Sequence, residues 1–290
     1  MEIVFIGPRT GHPDSRLLRI GADREAASAD KTVRVTWEVP GDATPAALQR
    51  TLDAVCRRKP GAICVWSEDP TVELKNPGAP LIAVGAIPHH PALFGAVMFE
   101  TGKAAEPLVD ALATFDPPLT TFALAWVGAF DRDTETRVDA TLKRAVTLKR
   151  LGERRCATGA DVALALAEIA DEYPTVELGV ILAGHSLDAS MLAALGRSRP
   201  IVVNTAHPSF WPWLRDGRAL RLSGGSAAEA GAAAMRLALR AVLEGDRPQY
   251  PVRIEPRVLA AADLGAFIAE VERQTGLSEA ELMLPDVAQP

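Results

Sequence analysis

Two Rossmann-like α/β lobes, each built on a parallel sheet covered by helices and joined by three crossovers, are the architecture this sequence predicts. Three observations point there. Short apolar or β-branched runs alternate with longer helical ones along nearly the whole chain, as strands do when helices cover both faces of their sheet. The alternation occurs twice, each half opening with a strand and a long helix, with a break at Asp116-Pro117-Pro118. The length of 290 residues also exceeds what one hydrophobic core usually serves, which indicates two domains of ordinary size.

The elements follow in order. Glu2–Ile6 is a β-branched strand, Ser15–Ser28 a helix, and 33–39 an alternating strand closed by Pro40-Gly41. Thr44 caps the helix 45–58, whose first turn carries Pro45. Strands at 62–66 and 80–84, a long helix at 91–112, a strand at 122–127 and a helix at 134–148 come next. The second half continues with a helix at 159–173, a strand at 178–182, a helix at 187–195, a strand at 201–204 and a helix at Ala227–Leu243. Two such lobes place a cleft at the carboxyl ends of both sheets, where strand-to-helix loops gather and a small ligand fits.

Composition narrows the function. At 48% hydrophobic and 23% charged the chain is ordinarily globular, and its net charge of −6 supplies no basic footprint for nucleic acid. The first apolar run, Ile3-Val4-Phe5-Ile6, is too short for a signal peptide, and no segment reaches the roughly 18 apolar residues of a membrane span. As written the chain is expected in the cytoplasm, whereas a mature exported chain, periplasmic after signal removal, would read the same. Cys56, Cys64 and Cys156 lack metal-like spacing and read as free thiols.

The stretch Gly184-His185-Ser186-Leu187-Asp188 resembles the G-x-S-x-G turn that exposes a hydrolase serine, with Asp188 where the second glycine belongs. That glycine lets strand and helix approach closely, and Asp188 lacks its freedom. A triad would further need an acid and then a histidine downstream. Only Asp188 and His207 follow in that order, with no room for the elements between them. An α/β hydrolase using Ser186 is therefore a remote reading, and no catalytic residue is expected.

The order and spacing of the segments resemble the type I periplasmic binding proteins, specifically the ribose-type sugar-binding components of ABC transporters, whose fold is shared with LacI-type effector domains. Residues 44–66, TPAALQRTLDAVCRRKPGAICVW, resemble that family's second helix and following strand, and 80–86, PLIAVGA, its fourth strand. Residues 176–195 match a segment in which the family carries Asn-Asp where His185-Ser186 stands here, and 244–254, EGDRPQYPVRI, resemble its final crossover. The resemblance implies crossovers near 115–119, 222–226 and 249–252. The N-terminal lobe is then 1–116 plus 226–249, and the C-terminal lobe 117–225 plus 250–290. It also implies capture of a small polar ligand by hinge closure, no cofactor, and as partner an ABC transporter permease. A cytosolic ligand sensor feeding a kinase is the alternative. A monomer is expected.

The polar sugar contacts of that family are not reproduced. Ile87-Pro88-His89-His90 stands where the family has Asp and Arg, Ala206 near its later Asp, Gly225 near its Gln, and Pro8-Arg9-Thr10-Gly11-His12 where an aromatic pair is expected. Arg137 lies near a family arginine. The five histidines, His12, His89, His90, His185 and His207, all follow predicted strand ends. With Arg9, Phe130, Arg137 and Asn204 they form the expected ligand set, imidazoles and guanidinium groups serving hydroxyls or carboxylates. Their scattered spacing does not suggest a metal site. Phe210-Trp211-Pro212-Trp213 reads either as a stacking wall or as packing within the C-terminal lobe.

Overall fold

The computed structural model describes residues 1–8, 12–29, 33–42, 44–67, 78–85, 93–98, 101–112, 119–128, 130, 132–144, 148–184, 187, 189–195, 199–245 and 251–284. The chain divides into two compact units, Met1–Glu100 with Ser226–Ile254 and Glu270–Pro290, and Thr101–Gly225 with Glu255–Ala269.

The first unit holds strands β1 (Glu2–Ile6), β2 (Arg34–Glu38), β3 (Ala62–Ser67), β4 (Leu81–Gly85), β5 (Leu93–Met98) and β11 (Val252–Arg253). They form one sheet in the order β11-β5-β4-β3-β1-β2, every pairing parallel. Strands β3 and β4 are buried at every position, as their unbroken apolar runs require. Helices α1 (Ser15–Ser28), α2 (Pro45–Cys56) and α7 (Ala227–Leu243) supply the covering layers. Thr44 accepts the Ala47 amide at 3.2 Å, which makes it the cap of α2 behind Pro45.

Helices α1 and α7 touch backbone to backbone. A Cβ added to Gly21 would lie 1.9 Å from the Ala228 carbonyl oxygen, and one added to Gly231 the same distance from that of Leu18. Reciprocal glycines thus let the two helices approach closer than any side chain allows, with Leu18, Ala22, Ala230 and Ala234 filling the flanks.

The second unit holds β6 (Thr121–Val127), β7 (Lys149–Cys156), β8 (Leu178–Ala183), β9 (Ile201–Val203), β10 (Ala219–Gly224) and β12 (Arg257–Leu259). Their order is β12-β10-β9-β8-β6-β7, parallel except for β12. Helices α3 (Ala105–Ala111), α4 (Arg132–Arg144), α5 (Val162–Glu172) and α6 (Trp211–Arg215) belong to it. The helix α8 (Leu264–Thr275) begins in this unit and ends in the first, where α9 (Glu279–Leu282) also lies.

Three sequence expectations differ. The helix expected at 91–112 is a strand, β5, and then a 3-10 turn (Thr101–Ala104) and α3. The run Leu-Phe-Gly-Ala-Val-Met is short, apolar and buried on both faces, so periodicity does not separate strand from helix there. Strand β7 was not anticipated because its sequence, KRLGERRC, is polar. It is an edge strand, where charge is tolerated and blocks pairing with other chains. In place of a helix at 187–195 there is only the 3-10 turn Ala189–Leu192.

Candidate functional site

The carboxyl ends of the second unit's strands carry the best-defined cluster. The ladder between β8 and β9 pairs Ile181 with Val203, and beyond it the Asn204 carboxamide takes over. Its Oδ1 accepts from the Ala183 amide at 2.6 Å and its Nδ2 donates to the Ala183 carbonyl at 2.7 Å. A buried side chain thus extends the sheet by one pairing. Thr205 Oγ1 donates to the Leu187 carbonyl at 3.3 Å and accepts the His207 amide at 3.2 Å. Ser209 Oγ accepts the Ala189 amide at 2.8 Å. The loop after β8 is consequently fastened to the loop after β9 at residues 183, 187 and 189.

His207 caps the 3-10 turn Pro208–Phe210. Its Nδ1 lies 2.7 Å from Ser209 Oγ and accepts the Ser209 amide at 3.3 Å. Both contacts are satisfied with Nδ1 as acceptor, which puts the ring proton of the neutral imidazole on Nε2. Pro208 at the first turn was the sequence signal for this cap. Thr205 and Ser209 were not singled out, since nothing local marks a side chain that bonds across to another loop.

Backbone packing fixes the same loop from the side of β10. A Cβ on Gly224 would lie 2.6 Å from the Ala206 amide nitrogen, so only glycine lets the two segments meet. Next to it Ser223 Oγ is buried and, among the described residues, is the one buried side-chain oxygen or nitrogen lacking a hydrogen-bond partner.

Phe130 follows β6 and stands edge-on to Trp126, ring centroids 5.0 Å apart at 85°. Trp126 is itself fixed: its Nε1 donates to Glu153 at 3.0 Å, and the Arg155 guanidinium lies 5.5 Å from its ring. Glu135 holds Arg155 through two bonds, at 2.8 and 3.2 Å, and so pushes its pKa further up. Arg137 is on α4, where Nε donates to Glu106 of α3 at 2.8 Å and Nη2 to Thr134 at 3.2 Å.

In the first unit His12 is buried between β1 and α1. Its ring meets Trp66 edge-on at 5.4 Å, and its Nδ1 accepts the Asp14 amide at 3.1 Å. Of the expected ligand residues, then, Asn204 and His207 share one loop. Phe130 and Arg137 lie elsewhere in the same unit, and His12 lies in the other. Arg9, His89, His90 and His185, like Ser186, fall outside the described residues. The aromatic run after His207 packs inward: Trp211 is fully buried against Phe267 and donates to the Ala206 carbonyl at 3.2 Å, and Arg218 stacks 4.5 Å from Trp213.

The cluster offers hydroxyl, carboxamide and imidazole groups, suited to hydrogen bonding with a polar neutral molecule. Burial pushes the thiols of Cys56, Cys64 and Cys156 up, which leaves no thiolate nucleophile at neutral pH. Among the described residues no group of three His, Cys, Asp or Glu side chains could hold a metal ion, and no helix is long and apolar enough to cross a membrane.

No family model and no curated protein matches the sequence significantly. Solved structures do match in fold. A glucose-galactose binding protein from Geobacillus stearothermophilus superposes with a TM-score of 0.72 at 16% identity, over 91% of this chain and 98% of the other. A periplasmic ribose ABC transporter protein from Conexibacter woesei DSM 14684 gives 0.73 at 12%, over 94% and 97%. An ABC transporter periplasmic solute binding protein from Actinobacillus succinogenes 130z, with bound D-allose, gives 0.73 at 13%, over 91% and 99%. At these identities the likeness is one of fold, and the two mostly parallel six-stranded sheets with their flanking helices are the fold of the type I periplasmic binding proteins.

Proposed function

We propose that this chain is a solute-binding protein that captures a small carbohydrate-like ligand, a sugar, polyol or sugar-like acid, between its lobes by hinge closure and presents it to an ABC transporter permease. It performs no chemistry of its own. The observation that carries the reading is the match in fold over 91–94% of the chain to proteins described as sugar-binding. The fastened loops after β8 and β9 support it, because a neutral polyhydroxylated ligand needs fixed donors and acceptors and no strong charge. Arg137, spoken for by Glu106 and Thr134, reaches a ligand only by giving up those bonds.

Thermal unfolding in the presence of D-ribose, D-arabinose, D-allose, D-glucose, sugar alcohols and sugar acids tests the proposal. A ligand that binds only the folded state at 100 times its Kd adds about 2.7 kcal/mol of stability. At least one of these compounds should raise the melting temperature with concentration and reduce the radius of gyration in small-angle scattering. No shift from any of them at millimolar concentration would overturn the reading. An ester turnover lost on Ser186→Ala would replace it with hydrolysis.

A further inference from the structure

The chain passes from one unit to the other after Glu100, Gly225, Ile254 and Ala269. The last passage is a fourth, beyond the three the sequence implies, and it falls inside α8. One unbroken helix therefore has its first half in the second unit and its second half in the first. Leu264, Phe267, Ile268, Val271 and Thr275 are buried along a single face of that helix.

Each half has its own anchors. In the second unit the Asp263 carboxylate accepts the Ala260 amide at 3.0 Å as the helix begins, and the Phe267 ring meets Trp211 edge-on at 6.2 Å. In the first unit Gln274 Oε1 accepts from Ser226, the hydroxyl that caps α7, at 3.1 Å. Beyond α8 the Glu279 amide donates to Glu272 at 2.7 Å, and Ser278 and Glu281 close a capping box on α9. Arg16 of α1 then reaches the tail, its Nη1 donating to the carbonyls of Glu281 at 2.6 Å and Leu284 at 3.0 Å.

We propose that α8 and α9 form a C-terminal strap that limits how far the two units move relative to one another. A helix bends little and does not lengthen without losing its own hydrogen bonds. A movement that separates its two sets of anchors must therefore release one of them. The end that releases is the C-terminal one, because exposed bonds from Arg16 hold it, whereas buried aromatic rings hold the other. The strap thereby sets the range of the hinge in the ligand-free protein.

Pulsed electron-electron spin resonance on the ligand-free chain tests this. Spin labels go on Leu243→Cys in the first unit and Leu164→Cys in the second, both exposed positions, with Cys56→Ser and Cys156→Ser removing competing thiols. Introducing Arg16→Met together with Gln274→Ala should broaden the distance distribution and speed hydrogen exchange in residues 270–284. Gln274→Ala alone should do the same to a smaller degree, which keeps the test open if the paired variant folds poorly. Distributions that superimpose on the parent's would overturn the strap. No ligand is involved, so this outcome is independent of whether any sugar binds.

Discussion

Replacing Gly21 or Gly231 by alanine should destabilise the first unit, although alanine is by itself the better helix former. In an unconstrained helix the exchange would add about 1 kcal/mol of stability. Here the new Cβ would stand 1.9 Å from a carbonyl oxygen of the facing helix. A comfortable carbon-to-oxygen contact is about 3.3 Å, so α1 and α7 must part by roughly 1.4 Å. The obstructing atoms are backbone and cannot rotate away. Overpacking of this kind costs about 1–3 kcal/mol, and at a backbone obstruction the upper end applies. Parting by that amount also forfeits much of the dispersion contact of Leu18, Ala22 and Ala234 along the interface. The net loss should be about 2 kcal/mol or more, a fall in melting temperature of roughly 4–8 °C for a unit of this size. Thermal unfolding followed by circular dichroism measures it. Gly21→Ala with Gly231→Ala should lose less than the sum of the two, because one separation accommodates both methyl groups. Gly265→Ala is the control: a Cβ there meets nothing within 4 Å, so it should be neutral or stabilising. If Gly21→Ala behaves like Gly265→Ala, the close helix contact is wrong.

Asn204→Ala should cost about 2–4 kcal/mol in urea unfolding, since it orphans the buried amide and carbonyl of Ala183 together; it should also speed hydrogen exchange across 183–189, and unchanged exchange there would refute the loop fastening. The Glu177 carboxylate accepts from the Thr120 amide and hydroxyl and from the Thr121 amide, which holds its pKa below the usual carboxylate range. A depressed folded-state pKa contributes stability that is present above the unfolded value of about 4.3 and lost as pH falls through the folded value. Glu177→Gln should therefore flatten the acid side of the stability profile, and a profile parallel to the parent's would refute it.

The parts of the fold legible in the sequence were those where burial dictates residue type. Strands β3 and β4 are apolar at nearly every position because both faces are covered, and Thr44-Pro45 announced α2 because a cap and a fixed φ are local requirements. What was missed depended on partners distant in sequence. Leu93–Met98 is a strand because β4 and β11 flank it, and Lys149–Cys156 is one because β6 offers it an edge. The candidate site divides the same way. His207 could be placed after a strand end from sequence alone, but its engagement with Ser209 follows from the turn that Pro208 starts. Asn204 was read as a ligand contact, and its carboxamide is engaged by Ala183 instead of standing idle.

That engagement separates what holds the loops from what they would recognise. Asn204, Thr205 and Ser209 give their polar atoms to the backbone at Ala183, Leu187 and Ala189. The residues interleaved with those anchors, His185, Ser186 and Asp188, contribute nothing to this fastening, so exchanges there need not loosen the frame. Anchors must satisfy buried backbone groups whatever the ligand is, whereas interleaved positions answer only to the ligand. A chain can then keep this architecture while losing nearly every polar contact of the sugar binders it resembles. The divergence is largest where the fold demands least: His185-Ser186 in place of Asn-Asp, and Ile87-Pro88-His89-His90 in place of an acidic and a basic contact. Identity of 9–17% with proteins of the same fold is what remains when the apolar strands and the backbone anchors are constrained and the recognition positions are free to change.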